Sequence, residues 1–179
     1  GQAEMLCQFL GKGLLFFLNS RAGRVRDDGG YETVKISDGS EDSNRLVMKT
    51  PSVRNLEYFF KLFPQAYLII LVRDGRSIVE SGFKSFGWDY ETAMHMWADA
   101  AQTILDFDQT FEGSDFKYLI VRYEDLYRDL EKELRRIFDF VGLDTEVYDF
   151  ESAAGSPVRG SSEFGRQAGD VHWRPVEKT

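Results

Sequence analysis

The sequence predicts an α/β fold, a parallel β-sheet flanked by helices, and three observations carry that prediction. Tyr67-Leu68-Ile69-Ile70-Leu71-Val72 is a continuous apolar run of strand length, the pattern of a strand covered on both faces. Tyr118 to Val121 is a second buried run of the same kind. Segments with apolar residues at helical spacing lie between and after them, and strands alternating with helices indicate a parallel sheet.

Taken in order, Ala3 to Leu18 reads as a mostly apolar, buried helix, although Gly11 and Gly13 each weaken it by roughly 1 kcal/mol relative to alanine. The apolar run from Met5 to Leu18 is interrupted by Lys12 and falls short of the roughly 18 residues that span a membrane. No small-residue cleavage site follows it, so a buried helix is a better reading than a targeting segment. Asn19 to Asn44, rich in Gly, Asp, Ser and Arg, predicts loop with one short strand at Tyr31 to Ile36. Asp38-Gly39-Ser40-Glu41-Asp42 lacks the ligand spacing of a calcium loop and reads as a solvated turn.

Leu46 to Met48 is a short strand candidate that ends in Lys49-Thr50-Pro51. Ser52 then caps a helix with Val53, Leu56, Phe60 and Phe63 on its inner face, and Pro64 stops it. After Arg73-Asp74-Gly75-Arg76 a helix starts near Ser77, and a longer one follows with Ala93, Trp97, Ala100, Ile104 and Phe107 on one face. Asp129 caps a further helix with the stripe Leu130, Leu134, Ile137, Phe138 and Val141. Glu131 and Glu133 in its first turn, and Arg135 and Arg136 later, suit the helix dipole, and Gly142 ends it. Beyond Phe150 the chain is polar and Gly/Ser-rich, without periodicity until Val171-His172-Trp173.

The 179 residues, 42% hydrophobic and 15% aromatic, suffice for one globular domain and exclude disordered and disulfide-scaffold classes. With 22 Lys and Arg against 30 Asp and Glu, the net charge of −8 disfavours a nucleic-acid surface but leaves room for a small anion held by local cations. The lone Cys7 cannot form an internal disulfide, which points to a reducing, cytoplasmic setting, an excised lumenal domain being the alternative. Two histidines and one cysteine, widely separated, form no metal site.

The segment richest in chemistry is Leu68 to Phe83: a strand running into Arg73, a tight turn at Gly75, and a helix carrying Ser81. Ligands in open α/β sheets bind beyond the carboxyl ends of strands, where helix N-termini offer N–H groups to phosphate. Arg73 offers a planar fork to phosphate oxygens, Ser81 a hydroxyl and Arg76 a second cation. On spacing alone, Arg73 equally well pairs with Asp74 or another carboxylate. His95, at helical spacing among Met94, Met96 and Trp97, reads as packing. Phe83/Phe86 and Trp88/Tyr90 read as core or surface cover before they read as an acceptor pocket.

Val72-Arg73-Asp74-Gly75-Arg76-Ser77-Ile78-Val79-Glu80-Ser81 resembles the 3′-phosphate-binding segment of sulfotransferases that use 3′-phosphoadenosine 5′-phosphosulfate (PAPS). In that family a strand-end Arg and a Ser eight positions later contact the 3′-phosphate, and Arg73 and Ser81 match them. Tyr118-Leu119-Ile120-Val121-Arg122-Tyr123-Glu124-Asp125-Leu126, with the helix end Phe138 to Leu143, is similar to the family's strand, YEDL turn and FLGL-like helix end. The resemblance implies that Tyr123 packs on the adenine; taken alone it is equally a core tyrosine with a satisfied hydroxyl. Lys49 resembles the lysine near the transferring group, while Pro51 stands where one branch of the family has its catalytic His, so no general base is assigned. Val158-Arg159-Gly160-Ser161 resembles the late element that closes over the 3′-phosphate.

The resemblance implies a P-loop NTPase-like sulfotransferase fold. A single domain then spans 1–179, with a helix and polar loop region (1–45), an α/β nucleotide-binding core (46–150) and a ligand-covering segment (151–179). It implies sulfuryl transfer from PAPS, giving 3′,5′-diphosphoadenosine, to a hydroxyl or amine acceptor, with no metal required. The family's 5′-phosphosulfate loop has no match upstream of Lys49. Leu10-Gly11-Lys12-Gly13-Leu14 sits in an apolar run, and Asn19-Ser20-Arg21-Ala22-Gly23 lacks the following Ser/Thr. The chain therefore reads as N-terminally incomplete, or as a degenerate, non-catalytic nucleotide-binding homologue. A nucleotide kinase relative is disfavoured because Lys12 has no Ser/Thr beside it.

Overall fold

A computed structural model describes residues 1–21, 23–25, 31–33, 47–50 and 52–155. It divides into two compact units, Gly1–Tyr118 and one beginning at Leu119. The first opens with α1 (Gln2–Arg21). Among the described residues of α1, Gly11 is buried by the close approach of the Leu62 backbone, with which a Cβ would collide. Its glycine is thus explained by close helix approach and not by a break. The expected burial of this helix is not observed among its residues 2–15, the part whose side chains are described. Met5, Leu6, Phe9, Leu10, Leu14 and Leu15 are exposed, because its chief neighbour is the single turn that carries Leu62.

A small antiparallel ladder follows, β1 (Gly23–Val25) with β2 (Tyr31–Thr33), in register Gly23 to Thr33 and Val25 to Tyr31. The strand expected at Tyr31 to Ile36 is present over its first three residues, and the remainder lies outside the described residues. No strand forms at Val47 and Met48, which are exposed and irregular, and Leu46 lies outside the described residues. The helix expected from Ser52 is delayed. Ser52 Oγ accepts from Arg54 N at 3.1 Å, and Asn55 adopts a left-handed conformation (φ 62°) that no helix interior accommodates. A 3-10 turn, Leu56–Tyr58, then leads into α2 (Phe59–Leu62), ahead of Pro64.

β3 (Tyr67–Val72) alternates in burial: Ile70 is buried and Leu68 and Val72 are half-buried, whereas Tyr67, Ile69 and Leu71 are exposed. The expectation of cover on both faces is therefore corrected, since an apolar run identifies a strand without saying which elements lie over it. α3 (Gly75–Phe86) begins two residues before the expected Ser77 because Asp74 caps it. α4 (Tyr90–Phe111) begins at Asp89, whose carboxylate accepts from Thr92 N at 2.8 Å. β4 (Lys117–Arg122) follows and is the neighbour of β3 in a two-stranded parallel sheet, the chain crossing over through α3 and α4.

The core of the first unit is aromatic. Phe60, 2% exposed, stacks on Phe116 at 4.5 Å between ring centroids and also meets Phe107 at 6.0 Å and Phe111 at 5.6 Å. Tyr118 packs edge-on against Phe107 and donates its hydroxyl to Asp108 Oδ1 at 2.8 Å. Burial, with the Asp108 carboxylate beside it, pushes the Tyr118 phenol up to about 12.

The second unit continues β4, where Val121 is fully buried. The Tyr-Glu-Asp-Leu segment, expected as a turn, is a short helix, α5 (Tyr123–Arg128). Asp129 caps α6 (Leu130–Val141) as expected, accepting from Lys132 N at 3.1 Å. Gly142, at φ 66°, closes it, with Leu143 N returning to the Phe138 carbonyl at 2.8 Å. Among the described residues Glu133 is the buried charged one. It pairs with Arg136 at 2.9 Å, and Arg136 also donates to the Ile120 carbonyl, which ties α6 to β4. α7 (Phe150–Gly155), a helix the sequence did not announce, ends the described chain. Phe150 lies under the Arg135 guanidinium.

Removing the ring at the centre of the first core tests this account. Phe60→Ala should cost about 3–5 kcal/mol in urea denaturation, as for other buried aromatic truncations, and Phe60→Leu distinctly less. Equal, small losses for both would place the core elsewhere.

Candidate functional site

The site is built on the junction of β3 and α3. Strand β3 delivers Arg73 to an exposed position just past its carboxyl end. Asp74 turns the chain, and its carboxylate accepts from Arg76 N at 3.0 Å, satisfying a first-turn amide of α3. The same carboxylate takes Arg76 Nε at 3.1 Å and Nη2 at 2.9 Å. This bidentate contact, and secondarily the amide bond, hold the Asp74 carboxyl down at about 2 and raise Arg76 above its ordinary value. Arg76, expected as a second cation, is engaged by Asp74.

Gly75 is the first residue of α3 and is not among the positive-φ glycines, so the tight turn expected there is not the reason for its glycine. Its bare Cα faces the indole of Trp97 instead: a Cβ at Gly75 would lie 2.7 Å from Trp97 Cδ2 and Cε2. Ser81 is exposed on the second turn of α3, seven residues past Asp74. At 100° and 1.5 Å per residue it returns to the face of Asp74, about 10 Å further along the axis. The structure therefore brings Arg73 and Ser81 onto one strand–turn–helix element.

The other predicted residues belong to other segments of the chain. Lys49 is exposed in the irregular segment 47–50. Tyr123, half-buried, is the first residue of α5 in the second unit. Arg159, Gly160, His172 and Trp173 lie outside the described residues. Gly11-Lys12-Gly13 is internal to α1, so its amides serve the helix and form no phosphate nest. His95 does not pack as expected; it is largely exposed on α4, 4.0 Å from Glu91. The aromatic pairs cross over, Phe83 stacking on Tyr90 at 4.5 Å and Phe86 on Trp88 at 4.8 Å, and they cover the surface corner between α3 and α4.

Trp97 is the residue that periodicity placed on the right face of α4 without revealing its contact. The signal available was Gly75 itself, a glycine opening a helix where its backbone conformation does not call for one. The Asp74 cap predicts a pH dependence. Its carboxyl is depressed from 3.8 to about 2, so its contribution is complete above about pH 4 and is lost as pH falls through 2. Thermal midpoints measured at pH 5, 3 and 2 should fall more steeply for the unaltered chain than for Asp74→Asn. Parallel curves would show that the pair carries no linkage.

Comparison with known proteins bears on the same element. The family model described as Sulfotransferase family matches residues 22–147. The chain is 34% identical over 111 residues to protein-tyrosine sulfotransferase 1 of Danio rerio, covering 58% of this chain and 30% of that protein. It is 30% identical over 126 residues to protein-tyrosine sulfotransferase A of Caenorhabditis elegans, covering 64% of this chain and 32% of that protein. The chain thus spans about a third of the length of the curated relatives it matches. No solved structure gives a significant match. Because the matched span covers more than half of the sequence and contains the whole Arg73 to Ser81 element, the chain belongs to the sulfotransferase family.

Proposed function

We propose that the chain works in sulfuryl transfer from PAPS to an acceptor hydroxyl or amine, and that it supplies the 3′-phosphate and adenine side of the donor site. The observation that carries the reading is the β3–turn–α3 element inside the family match, with an exposed Arg73 and an exposed Ser81 hydroxyl on one element. The residues fit the group electrostatically. Arg76 offsets the Asp74 carboxylate, and the exposed Arg73 beside it carries the guanidinium fork that suits phosphate oxygens. The family match runs across the division at Tyr118, which supports one sulfotransferase-like domain over 1–179. The single free Cys7 supports a reducing, cytoplasmic setting.

In this reading Arg73 and Ser81 hold the 3′-phosphate, with Arg159 and Gly160 closing over it, and the ring of Tyr123 packs on the adenine. Lys49 neutralises charge on the sulfuryl group or the bridging oxygen. The reaction breaks the S–O bond of the phosphosulfate anhydride and forms an S–O bond to a hydroxyl acceptor or an S–N bond to an amine. The acceptor proton passes to a base, and 3′,5′-diphosphoadenosine departs. Such an in-line displacement depends on positioning and charge neutralisation. The names of the two relatives favour a protein tyrosine hydroxyl as the acceptor.

Arg73→Ala should weaken 3′,5′-diphosphoadenosine by roughly 1.5–3 kcal/mol in titration calorimetry, the scale of a hydrogen bond to a charged group, and leave 5′-AMP nearly unchanged. Equal losses for the two nucleotides would make Arg73 structural.

A second reading, a nucleotide-binding module without transfer activity of its own, is favoured by the helical state of Gly11 to Gly13. The described residues contain no other candidate for the 5′-phosphosulfate loop. Each preorganised donor lost at a developing oxyanion lowers rate by about 10²–10³. The chain alone should therefore bind the desulfated nucleotide yet transfer labelled sulfate to a tyrosine peptide only slowly. Efficient turnover by the chain alone would eliminate this second reading.

A further inference from the structure

We propose that Trp97 is a positioning residue for the 3′-phosphate site, clamping the Arg73–Gly75 turn so that the Arg73 guanidinium leaves from a fixed backbone. The inference rests on the nucleotide reading above and adds a residue to it. Trp97 sits in α4, remote in sequence, and reaches the turn at two points. Its Nε1–H donates to the Arg73 carbonyl at 3.4 Å, a long bond. Its indole lies flat on Gly75, where any side chain would meet ring atoms at 2.7–2.9 Å.

Three consecutive residues are thereby held from different directions. The Arg73 carbonyl is held by Trp97 Nε1, Asp74 by the Arg76 amide and guanidinium, and the Gly75 Cα by the indole face. An arginine on a loose turn spends part of its phosphate affinity on ordering the backbone beneath it, and a clamped turn has already met that cost. Trp97 is 39% exposed. Its N–H takes as partner the carbonyl of the residue before a helix cap, so the contact falls on the turn itself. The pairing also accounts for Gly75, whose backbone conformation gives no other reason for glycine.

The test measures affinity of the full chain for 3′,5′-diphosphoadenosine and for 5′-AMP, with thermal midpoints recorded beside them. Trp97→Ala should weaken the diphosphate about fivefold to tenfold and 5′-AMP less than twofold, since a displaced turn misplaces only the group that reads the 3′-phosphate. Gly75→Ala, which pushes the indole off the turn, should reproduce that selective loss. Trp97→Phe keeps a ring over Gly75 without the N–H and should retain most of the preference.

An unchanged preference in Trp97→Ala and Gly75→Ala overturns the proposal, as does an equal weakening of both nucleotides. Should Trp97→Ala fail to fold, Gly75→Ala and Trp97→Phe decide by the same ratio. Arg73→Ala separates the two levels. If the unaltered chain shows no preference for the diphosphate, the nucleotide reading itself falls and this inference with it. If Arg73→Ala abolishes a preference that the Trp97 and Gly75 variants keep, only the clamp falls.

Discussion

The ring of Phe60 is the contact on which the first unit depends. It brings Phe107 and Phe111 from one face of α4 against Phe116, just before β4 starts, and so fixes where the crossover ends. Stacked and edge-on aromatic pairs contribute about 0.5–1.5 kcal/mol each beyond the area they bury. A helix of 22 residues extends about 33 Å, and Trp97 lies ten residues before Phe107, about 15 Å along the axis. Packing at one end of α4 therefore decides what its other half can touch. The indole that meets Gly75 lies about three to four turns from Phe107 and Phe111, on the part of α4 that packs along α3.

Charge acts differently at the two ion pairs that matter. Asp74 and Arg76 are largely at the surface, where screening leaves little stabilisation, yet on the proposed nucleotide reading their pairing matters because it offsets a carboxylate at the end of β3. The chain carries a net −8, so attraction for a phosphate cannot come from the molecule as a whole and must be local. Glu133 and Arg136 show the opposite balance. The carboxylate is buried, so losing Arg136 would strand a charge away from water and leave the Ile120 carbonyl without this donor.

The sequence made the long, strongly patterned elements legible, and the reasons are local. α6 was readable from the Asp129 cap to Gly142 because capping, dipole charges and apolar stripe all agree there. The β3-to-α3 junction was readable as a strand running into a helix, although the Asp74 cap, which starts α3 two residues before Ser77, was not. What stayed hidden depended on tertiary partners. Nothing in Tyr67 to Val72 says that only the Leu68, Ile70 and Val72 side is covered, and nothing in Ser52 to Phe63 announces that Asn55 turns left-handed. Gly11 and Gly75 looked like weaknesses or turn signals, whereas both mark places where another group comes too close for a Cβ. At the candidate site, Arg73 and Ser81 were found by spacing and resemblance. Arg76 was assigned to the ligand although its nearer carboxylate already engages it.

On the proposed nucleotide reading, the location of Arg73 and Ser81 bears on what kind of energy they would contribute. A 3′-phosphate does not change charge or geometry while a sulfuryl group leaves the 5′ side of the same nucleotide. Contacts to it therefore bind ground state and transition state alike, and such uniform binding lowers KM without raising kcat. Their value to the reaction is orientation: a donor gripped at its far end presents the phosphosulfate along one line to the acceptor. That grip is only as directional as the backbone beneath Arg73. A guanidinium on four rotatable bonds cannot set a direction unless its first bond is fixed, and the Asp74 cap and the Gly75–Trp97 contact bear on exactly those neighbouring residues. The rigidity of the turn, more than the charge it carries, is what converts a phosphate contact into alignment.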